Sequence, residues 1–124
     1  MIELVHKEEA YKIIGICMEV HRNLGKGFLE IVYKDAIEYE LKQNEYLYER
    51  EKPFLINYKD IVLQQKFYAD FTVFDKIILE VKSGSGIVDE FLAQTINYLA
   101  ASKLRVGLIV NFGKNSLEYK RIVL

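Results

Sequence analysis

Length, composition and charge place this chain among ordinary globular proteins. It has 124 residues, of which 51% are hydrophobic and 28% charged, enough apolar content to bury a substantial core. The formal net charge of −1 excludes a uniformly basic surface, so any contact with nucleic acid must use a local basic patch. No apolar run approaches the roughly 20 residues that span a bilayer, so no membrane segment is expected.

The cysteine content and the first residues of the chain bear on its compartment. Cys17 is the single cysteine, which excludes an internal disulfide and favours a reducing environment. The start of the chain is too acidic for a signal peptide, so a cytoplasmic location is expected. One cysteine and two histidines form no structural zinc pattern. No linker or repeat divides the sequence, so residues 1–124 are expected to form one domain.

Two helices are predicted in the first part of the chain. Apolar residues repeat at helical spacing from Ala10 to Val20, and the glycine-containing segment 23–27 ends this helix. A second helix is predicted over about residues 28–43, and its inward stripe comprises Leu29, Tyr33, Ala36, Ile37 and Leu41. Glu30 falls within about 20° of two members of this stripe at 100° per residue. One carboxylate is therefore predicted to face the core, and Glu40 projects near the same stripe.

Three polar residues of this helical part each have two interpretations. Glu30 either interacts with the free amides of the first helical turn or serves as an acid of a functional site. Tyr33 either packs in the core, which is favoured, or hydrogen-bonds Glu30 or a phosphate. His21 has no acidic neighbour in the sequence, so an imidazole that stabilises a helix C-terminus is favoured over a general base.

Strands are predicted through the middle of the chain. Pro53 is predicted to mark the boundary between the helical part and the strands. Segments 53–58 and 61–65 are interpreted as a hairpin that turns at Lys59-Asp60. Segments 67–74 and 77–82 are rich in β-branched and aromatic residues and form a second predicted hairpin.

Two carboxylates and a lysine lie in this second hairpin. Glu80 and Lys82 emerge on one face of their strand because side chains alternate. Asp70 shares that face only in an even register, which requires an odd-length loop or a bulge rather than a bare two-residue loop at Asp75-Lys76. In that register Asp70 and Glu80 could hold Mg²⁺ or Mn²⁺, and Lys82 could steer a water. The alternative is a surface Lys–Glu pair with an unrelated polar Asp70.

The last part of the chain completes a mixed sheet flanked by helices. The segment Ser83-Gly84-Ser85-Gly86 is interpreted as a sharp turn or a flexible connection. A helix is predicted over about residues 88–103, on which Gln94 and Tyr98 lie one turn apart. Segment 106–111 is a continuous apolar run typical of a strand covered on both faces, and segment 117–123 is a terminal strand. The predicted class is α/β.

These motifs resemble those of a known nuclease family. Asp70 followed by Glu80-Val81-Lys82 is similar to the core signature of the PD-(D/E)XK nuclease superfamily. The upstream stretch 20–33 resembles the naming motif of the GxxExxY proteins, with Gly27, Glu30 and Tyr33 in the named places. The resemblance continues through residues 94–98 and 107–113, so it covers nearly the whole chain. The chain departs from the pattern at Lys26 and Ala69, where those families often have proline, and neither departure removes a ligand.

The resemblance implies a restriction-endonuclease-like fold and a metal-dependent phosphodiesterase or nuclease. Asp70 and Glu80 would bind Mg²⁺ or Mn²⁺, with the Val81 carbonyl as a further ligand and Glu30 helping to bind or orient the hydration shell. Lys82 would position the attacking water and Gln94 would orient the site. A solvated glutamine and a packed tyrosine is the equally weighted alternative for Gln94 and Tyr98.

The implied partner is nucleic acid, DNA or RNA, and the sequence leaves a homodimer open. The best candidates for a local basic surface are Lys103, Arg105, Lys114, Lys120 and Arg121, although their interpretation as ordinary solvated surface residues is favoured. Two other functions stay open at this point. One is a non-catalytic adaptor that binds nucleic acid or a protein, and the other is hydrolysis of a small phosphodiester.

Overall fold

The computed structural model describes residues 4–124, which contain three helices and seven strands. The helices are α1 (Lys7–Leu24), α2 (Glu30–Gln43) and α3 (Asp89–Ser102). The strands are β1 (Tyr48–Phe54), β2 (Asn57–Tyr58), β3 (Ile61–Val62), β4 (Phe67–Val73), β5 (Ile77–Lys82), β6 (Val106–Asn111) and β7 (Glu118–Val123). None of the helices within this range is long and apolar enough to cross a membrane.

Five strands form one mixed sheet in the order β1-β4-β5-β6-β7, and β2 and β3 form a separate hairpin. Strands β5 and β6 are parallel because α3 carries the chain back across the sheet between them. The other neighbours in the large sheet are antiparallel. The predicted α/β class with a mixed sheet flanked by helices is confirmed.

Helices α1 and α2 cover one face of the sheet and build the larger core. The apolar stripe predicted for α1 is buried, with Ile13 and Cys17 fully enclosed. On α2 the same holds for Tyr33, Ile37 and Leu41. The prediction is wrong for Leu29, which precedes the first residue of α2 and is exposed. The buried side chains of α1 and α2 pack against Phe71, Leu79 and their same-face neighbours on β4, β5 and β6. Burial of this many aliphatic and aromatic groups, at about 25 cal/mol per Å² of apolar surface, is the main force that fixes the two helices on the sheet.

Helix α3 covers the other face with a smaller core around Ala69, Ile78 and Leu99. Its closest approach to the sheet is at Gly107 on β6. A Cβ atom at Gly107 would lie 2.6 Å from Thr95 Cγ2, so glycine is what allows α3 to pack directly on the strand.

Strand β1 differs from the sequence prediction. The chain enters the sheet at Tyr48, and Pro53 lies inside β1 rather than at the boundary between helices and strands. The segment Tyr-Glu-Arg-Glu-Lys-Pro-Phe is highly charged because β1 is an edge strand, where charges and proline are tolerated and discourage aggregation. The hairpin predicted over 53–65 has shorter strands than expected, of two residues each, while its turn at Lys59-Asp60 is confirmed.

The loop between β4 and β5 sets the register that the acidic residues required. The loop has three residues rather than two, because β4 ends at Val73 and β5 begins at Ile77. Phe74 and Asp75 adopt left-handed backbone conformations, with φ of 60° and 54°, and the Lys76 amide donates to the Val73 carbonyl. Phe71 consequently pairs with Leu79, which is the even register that sets Asp70 opposite Glu80.

The segment after β5 is held by buried polar contacts. Asn111, fully buried at the end of β6, accepts from the Gly84 amide at 2.9 Å and donates to the Gly84 carbonyl at 3.0 Å. The same Asn111 side chain accepts from the Gly113 amide at 3.1 Å. A Cβ atom at Gly113 would lie 2.1 Å from the Gly84 carbonyl oxygen. The turn that was interpreted as sharp or flexible is therefore a packed turn.

Replacing Gly113 by alanine should destabilise the fold, because the new methyl group meets the Gly84 backbone rather than a movable side chain. We expect a loss of about 1–3 kcal/mol in the free energy of unfolding, measured in urea. Gly15→Ala is the matched control, since open space surrounds this helical glycine. That substitution should raise stability by about 0.5–1 kcal/mol. Equal stabilities of the two variants would show that the turn tolerates displacement.

Candidate active site

Strand β4 changes the direction of its side chains at Asp70. On one side of this residue, Phe71 and Val73 pack in the core under α1 and α2. On the other side, Ala69 packs with α3 and Phe67 stacks on Tyr98 of α3. Regular alternation would put positions 69 and 71 on one face. The backbone therefore turns over at Asp70, which directs the Asp70 side chain into the gap that opens between the strands.

The neighbouring edge strand is distorted at the matching position. Arg50 pairs with Phe71 and Lys52 pairs with Ala69, whereas Glu51, which lies between them opposite Asp70, is not in the ladder. Glu51 has a φ of 55°, a left-handed conformation that costs a non-glycine residue of order 1–3 kcal/mol. Strands β1 and β4 thus kink together, and the kink lies at the cluster of acidic residues.

Asp70 and Glu80 each bind the backbone beside the other. The Asp70 amide donates to Glu80 Oε2 at 2.8 Å, and the Val81 amide donates to Asp70 Oδ2 at 2.8 Å. These two bonds occupy the place where the β4–β5 ladder, last paired at Phe71 and Leu79, would otherwise continue. The carboxylates therefore substitute for main-chain hydrogen bonds, and both are fixed by the strands rather than by flexible loops.

Glu80 is buried, with 4% of its surface exposed. Burial and then the negative charge of Asp70 raise the pKa of Glu80 from an ordinary 4.5 to about 8, although the Asp70 amide and the charge of Lys82 oppose the rise. At neutral pH in the absence of a cation, a proton on Glu80 relieves the repulsion between the two acids. A buried carboxyl group that ionises readily only when positive charge arrives is well suited to a cation site.

Lys34 of α2 reaches Asp70 and the neighbouring Glu51 on the edge strand. Its ammonium lies 3.1 Å from Asp70 Oδ1 and also forms a salt bridge to Glu51. Burial lowers the pKa of Lys34, but the hydrogen bond that Lys34 donates to Glu51 and the charge of Asp70 outweigh this effect, so the pKa is raised overall. Lys34 is therefore a permanent cation beside Asp70.

Lys34 and Glu51 were not among the site residues predicted from the sequence. The signal for Lys34 was present, because seven residues separate it from Leu41 and place both side chains within about 20° of one direction on α2. A lysine on an inward stripe requires a buried acid nearby. No comparable signal exists for Glu51, since its position depends on the kink in β1.

Lys82 lies on the same side of β5 as Glu80, two residues further along. Its Nζ atom is 4.4 Å from the centre of the Phe91 ring on α3, within the range of a cation–π interaction. This contact holds the side chain in place while its charge acts on Glu80. The end of β5 thus presents an acid and an ammonium group together.

Gln94 and Tyr98, one turn apart on α3, have different environments. Tyr98 stacks on Phe67 with ring centres 4.0 Å apart, and burial followed by the charges of Glu80 and Asp70 raises its pKa. The Tyr98 ring is therefore packed on β4, close enough to Glu80 and Asp70 to feel their charges. Gln94 is exposed and forms no side-chain hydrogen bond within residues 4–124. Its orienting role stays a prediction.

Glu30, at the first position of α2, is exposed. None of the salt bridges among the residues that the structure describes involves its carboxylate. The expectation that this carboxylate faces the core is therefore wrong, because the first turn of α2 extends beyond the sheet-covered part of the helix stripe that begins at Tyr33. Its participation in the site stays a prediction.

Tyr33 and His21 support the fold around Phe112. Tyr33 stacks on Phe112 at 4.4 Å and donates its hydroxyl hydrogen to the Gly25 carbonyl at 2.6 Å. His21 also stacks on Phe112, at 5.9 Å, and its Nε2 lies 2.8 Å from the Lys114 carbonyl. Tyr33 thus orders the segment between α1 and α2 and packs in the core as favoured, whereas His21 joins the last turn of α1 to the segment that follows β6.

The donor set suits a hard divalent cation bound by few protein ligands. Within residues 4–124 no three His, Cys, Asp or Glu side chains converge on one point, so the protein offers a pair of carboxylates. Mg²⁺ often takes one or two carboxylates and keeps several waters, which fits such a pair. Glu80 Oε1 forms no hydrogen bond among the described residues, so this oxygen is available. The Val81 amide is committed to Asp70, and a role for the Val81 carbonyl stays a prediction.

Comparisons with known proteins agree with this geometry. The structure is similar to the crystal structure of SSO0001, with a TM-score of 0.61, 19% sequence identity and coverage of 95% of this chain and 59% of that one. This likeness shows the shared fold, and the chain spans less than two thirds of the solved protein. No curated protein matches the sequence significantly. Residues 7–122 match the PD-(D/E)XK nuclease superfamily, so the chain belongs to that superfamily.

Proposed function

We propose that the protein is a divalent-metal-dependent nuclease that hydrolyses phosphodiester bonds of DNA or RNA. The observation that carries this proposal is the pair of crossed hydrogen bonds that fixes Asp70 and Glu80 side by side in the sheet. Lys82 lies at the end of the same strand. Membership of the nuclease superfamily supports this assignment of the site.

The site residues have distinct roles in the proposed reaction. Asp70 and Glu80 would hold the cation, which supplies Lewis-acid stabilisation of the developing phosphate charge. Lys82 donates a hydrogen bond to the attacking water and offsets the charge of the phosphate. The Phe91 ring limits the motion of Lys82, so the ammonium is oriented before substrate arrives.

The finer assignments belong to the same proposal. Mg²⁺ or Mn²⁺ is the expected ion, with the Val81 carbonyl as a further ligand and Glu30 acting on the hydration shell. Gln94 orients the site from α3. The spacing of Gly27, Glu30 and Tyr33 supports assignment to the GxxExxY group. The proposal also includes a cytoplasmic location, and it leaves open whether the protein is a homodimer.

Removing a carboxylate should abolish cleavage while the fold persists. Asp70→Asn and Glu80→Gln should each lower Mg²⁺-dependent cleavage by about 100-fold or more, because the cation loses one of two ligands. Lys82→Met should reduce the rate by about 10²-fold. Cleavage of single- and double-stranded DNA and RNA in Mg²⁺ and Mn²⁺ measures the effect, with Asp60→Asn in an exposed turn as the charge-matched control. Equal rates in all variants would indicate a contaminating nuclease, and no cleavage by the wild type would favour the adaptor.

The metal-free protein should lose stability as the pH rises. Because the pKa of Glu80 is raised from 4.5 to about 8 on folding, its contribution is fully present below pH 4.5 and is lost as the pH rises through 8. Urea unfolding in EDTA from pH 5 to 8.5 should show this decline, which Glu80→Gln should flatten and Asp60→Asn should leave intact. Saturating Mg²⁺ should also flatten the decline in the wild type, because the cation stabilises the ionised form. A decline of the same size in Glu80→Gln would assign it to another group.

Glu30→Gln separates a functional acid from a residue that stabilises the helix N-terminus. If Glu30 acts on the hydration shell, the stabilisation of the protein by Mg²⁺ should fall in this variant and cleavage should slow. If it interacts only with the helix dipole, stability should drop by about 0.3–1 kcal/mol with metal binding unchanged. Thermal unfolding with and without Mg²⁺ measures both quantities. A stabilisation by Mg²⁺ identical to that of the wild type would remove Glu30 from the site.

A further inference from the structure

Lys34 is the least expected side chain near the acids, because it is a lysine with only 10% of its side chain exposed. It has two acidic partners of different exposure: Asp70 is 20% exposed and Glu51 is 49% exposed. Asp70 belongs to the proposed cation site, whereas Glu51 lies on the edge strand. One buried ammonium thus links the cation site to a residue outside it.

The backbone is distorted where this link is made. Glu51 adopts a φ of 55° between two regularly paired neighbours, Arg50 and Lys52. A regular strand at this point would continue the ladder with Asp70, and the left-handed conformation has an energetic cost for a residue other than glycine. The contact with Lys34 accompanies that cost, since the carboxylate on the kink accepts from the buried ammonium.

Both carboxylate oxygens of Asp70 already accept a hydrogen bond in this arrangement. Oδ2 accepts from the Val81 amide, and Oδ1 accepts from Lys34. A divalent cation that binds Asp70 Oδ1 competes with the ammonium for this oxygen, because the two positive charges repel each other strongly at so short a separation. A buried lysine that loses all of its acidic partners destabilises the fold, because its charge is then left uncompensated. The cation therefore needs Lys34 to keep another partner.

We propose that Lys34 and Glu51 are positioning residues that hand over Asp70 to the cation. In the metal-free protein Lys34 neutralises Asp70 and holds it in the gap. When the cation binds, Lys34 gives up Asp70 Oδ1 and remains paired with Glu51. This inference rests on the proposed metal-dependent function, and it assigns a role to two residues that contact neither the cation nor the substrate.

Two substitutions have opposite expected effects on cation affinity. Glu51→Gln removes the partner that retains Lys34, so binding of Mg²⁺ or Mn²⁺ should weaken by about ten-fold. Lys34→Met removes the competing ammonium, so binding should tighten by about ten-fold. A lysine that merely held Asp70 in place would give the reverse result for Lys34→Met, because Asp70 would then be less well oriented.

A double-mutant cycle tests the handover without any measurement of cleavage. Calorimetric titration of Mn²⁺ and Mg²⁺ gives the affinity of the wild type, of each single variant and of the double variant. If Glu51 acts through Lys34, the effect of Glu51→Gln should vanish in the Lys34→Met background. If Glu51 attracts the cation directly through its charge, Glu51→Gln should weaken binding equally in both backgrounds, which would overturn the inference.

Two controls keep the result interpretable. Glu49→Gln removes the same charge two residues earlier on β1, where Glu49 pairs with Lys52 at the surface, and should change affinity less than two-fold in either background. Circular dichroism establishes that each variant is folded. Lys34→Gln keeps a hydrogen-bond donor without the charge and replaces Lys34→Met in a second double-mutant cycle. The same results support or overturn the inference, so the test does not depend on the folding of Lys34→Met.

Failure of the inference is distinct from failure of the proposed function. A wild type that binds Mn²⁺ or Mg²⁺ and shows no coupling between Lys34 and Glu51 overturns the handover and leaves the metal-dependent nuclease standing. A wild type that binds neither ion overturns both.

Discussion

The insertion of two carboxylates between the strands of a β-sheet is the constraint on which the rest of this structure depends. A sheet normally satisfies its backbone groups by pairing strands, and at Asp70 and Glu80 the side chains take over that task. The strands can then separate without leaving the Asp70 and Val81 amides without partners. In return, the backbone amides orient both acids within one gap. The same two hydrogen bonds therefore serve the stability of the fold and the geometry of the site.

The replacement of main-chain hydrogen bonds by side-chain hydrogen bonds requires backbone distortions elsewhere that a regular sheet does not have. The three-residue loop after β4 uses two left-handed residues, Phe74 and Asp75, to obtain the even register. The kink at Glu51 lets β1 follow the turn of β4 from the α2 side to the α3 side. On the α2 side, Arg50 binds Asp35 and Glu38, and on the α3 side Phe54 stacks on Phe67. The kink is thus bracketed by contacts that hold each half of β1 in place.

Sequence patterns predicted the helices and the core strands well, because these elements bury regular apolar stripes. The stripe of α1 and the apolar run of β6 each fix an element without reference to the rest of the chain. The sequence did not predict β1 because this strand is rich in charged residues. Charges are tolerated there because β1 lies at the edge of the sheet, and its place in the sheet is set by the tertiary structure. Asp70, Glu80 and Lys82 were recognisable from their order and spacing. Glu51 was not, because its place beside Lys34 depends on a local backbone conformation that no residue type dictates.

The charge balance explains how the site persists without a cation. Lys34 forms salt bridges to Asp70 and Glu51, and Lys82 lies near a Glu80 whose raised pKa leaves it largely protonated at neutral pH. The cluster is then close to neutral, so its buried members, Lys34 and Glu80, avoid the desolvation penalty for isolated charges. A divalent cation changes this balance, because it favours ionisation of Glu80 and competes with Lys34 for Asp70. Binding should therefore release a proton and shift an ammonium, and both movements are local to strands that the hydrophobic core holds fixed.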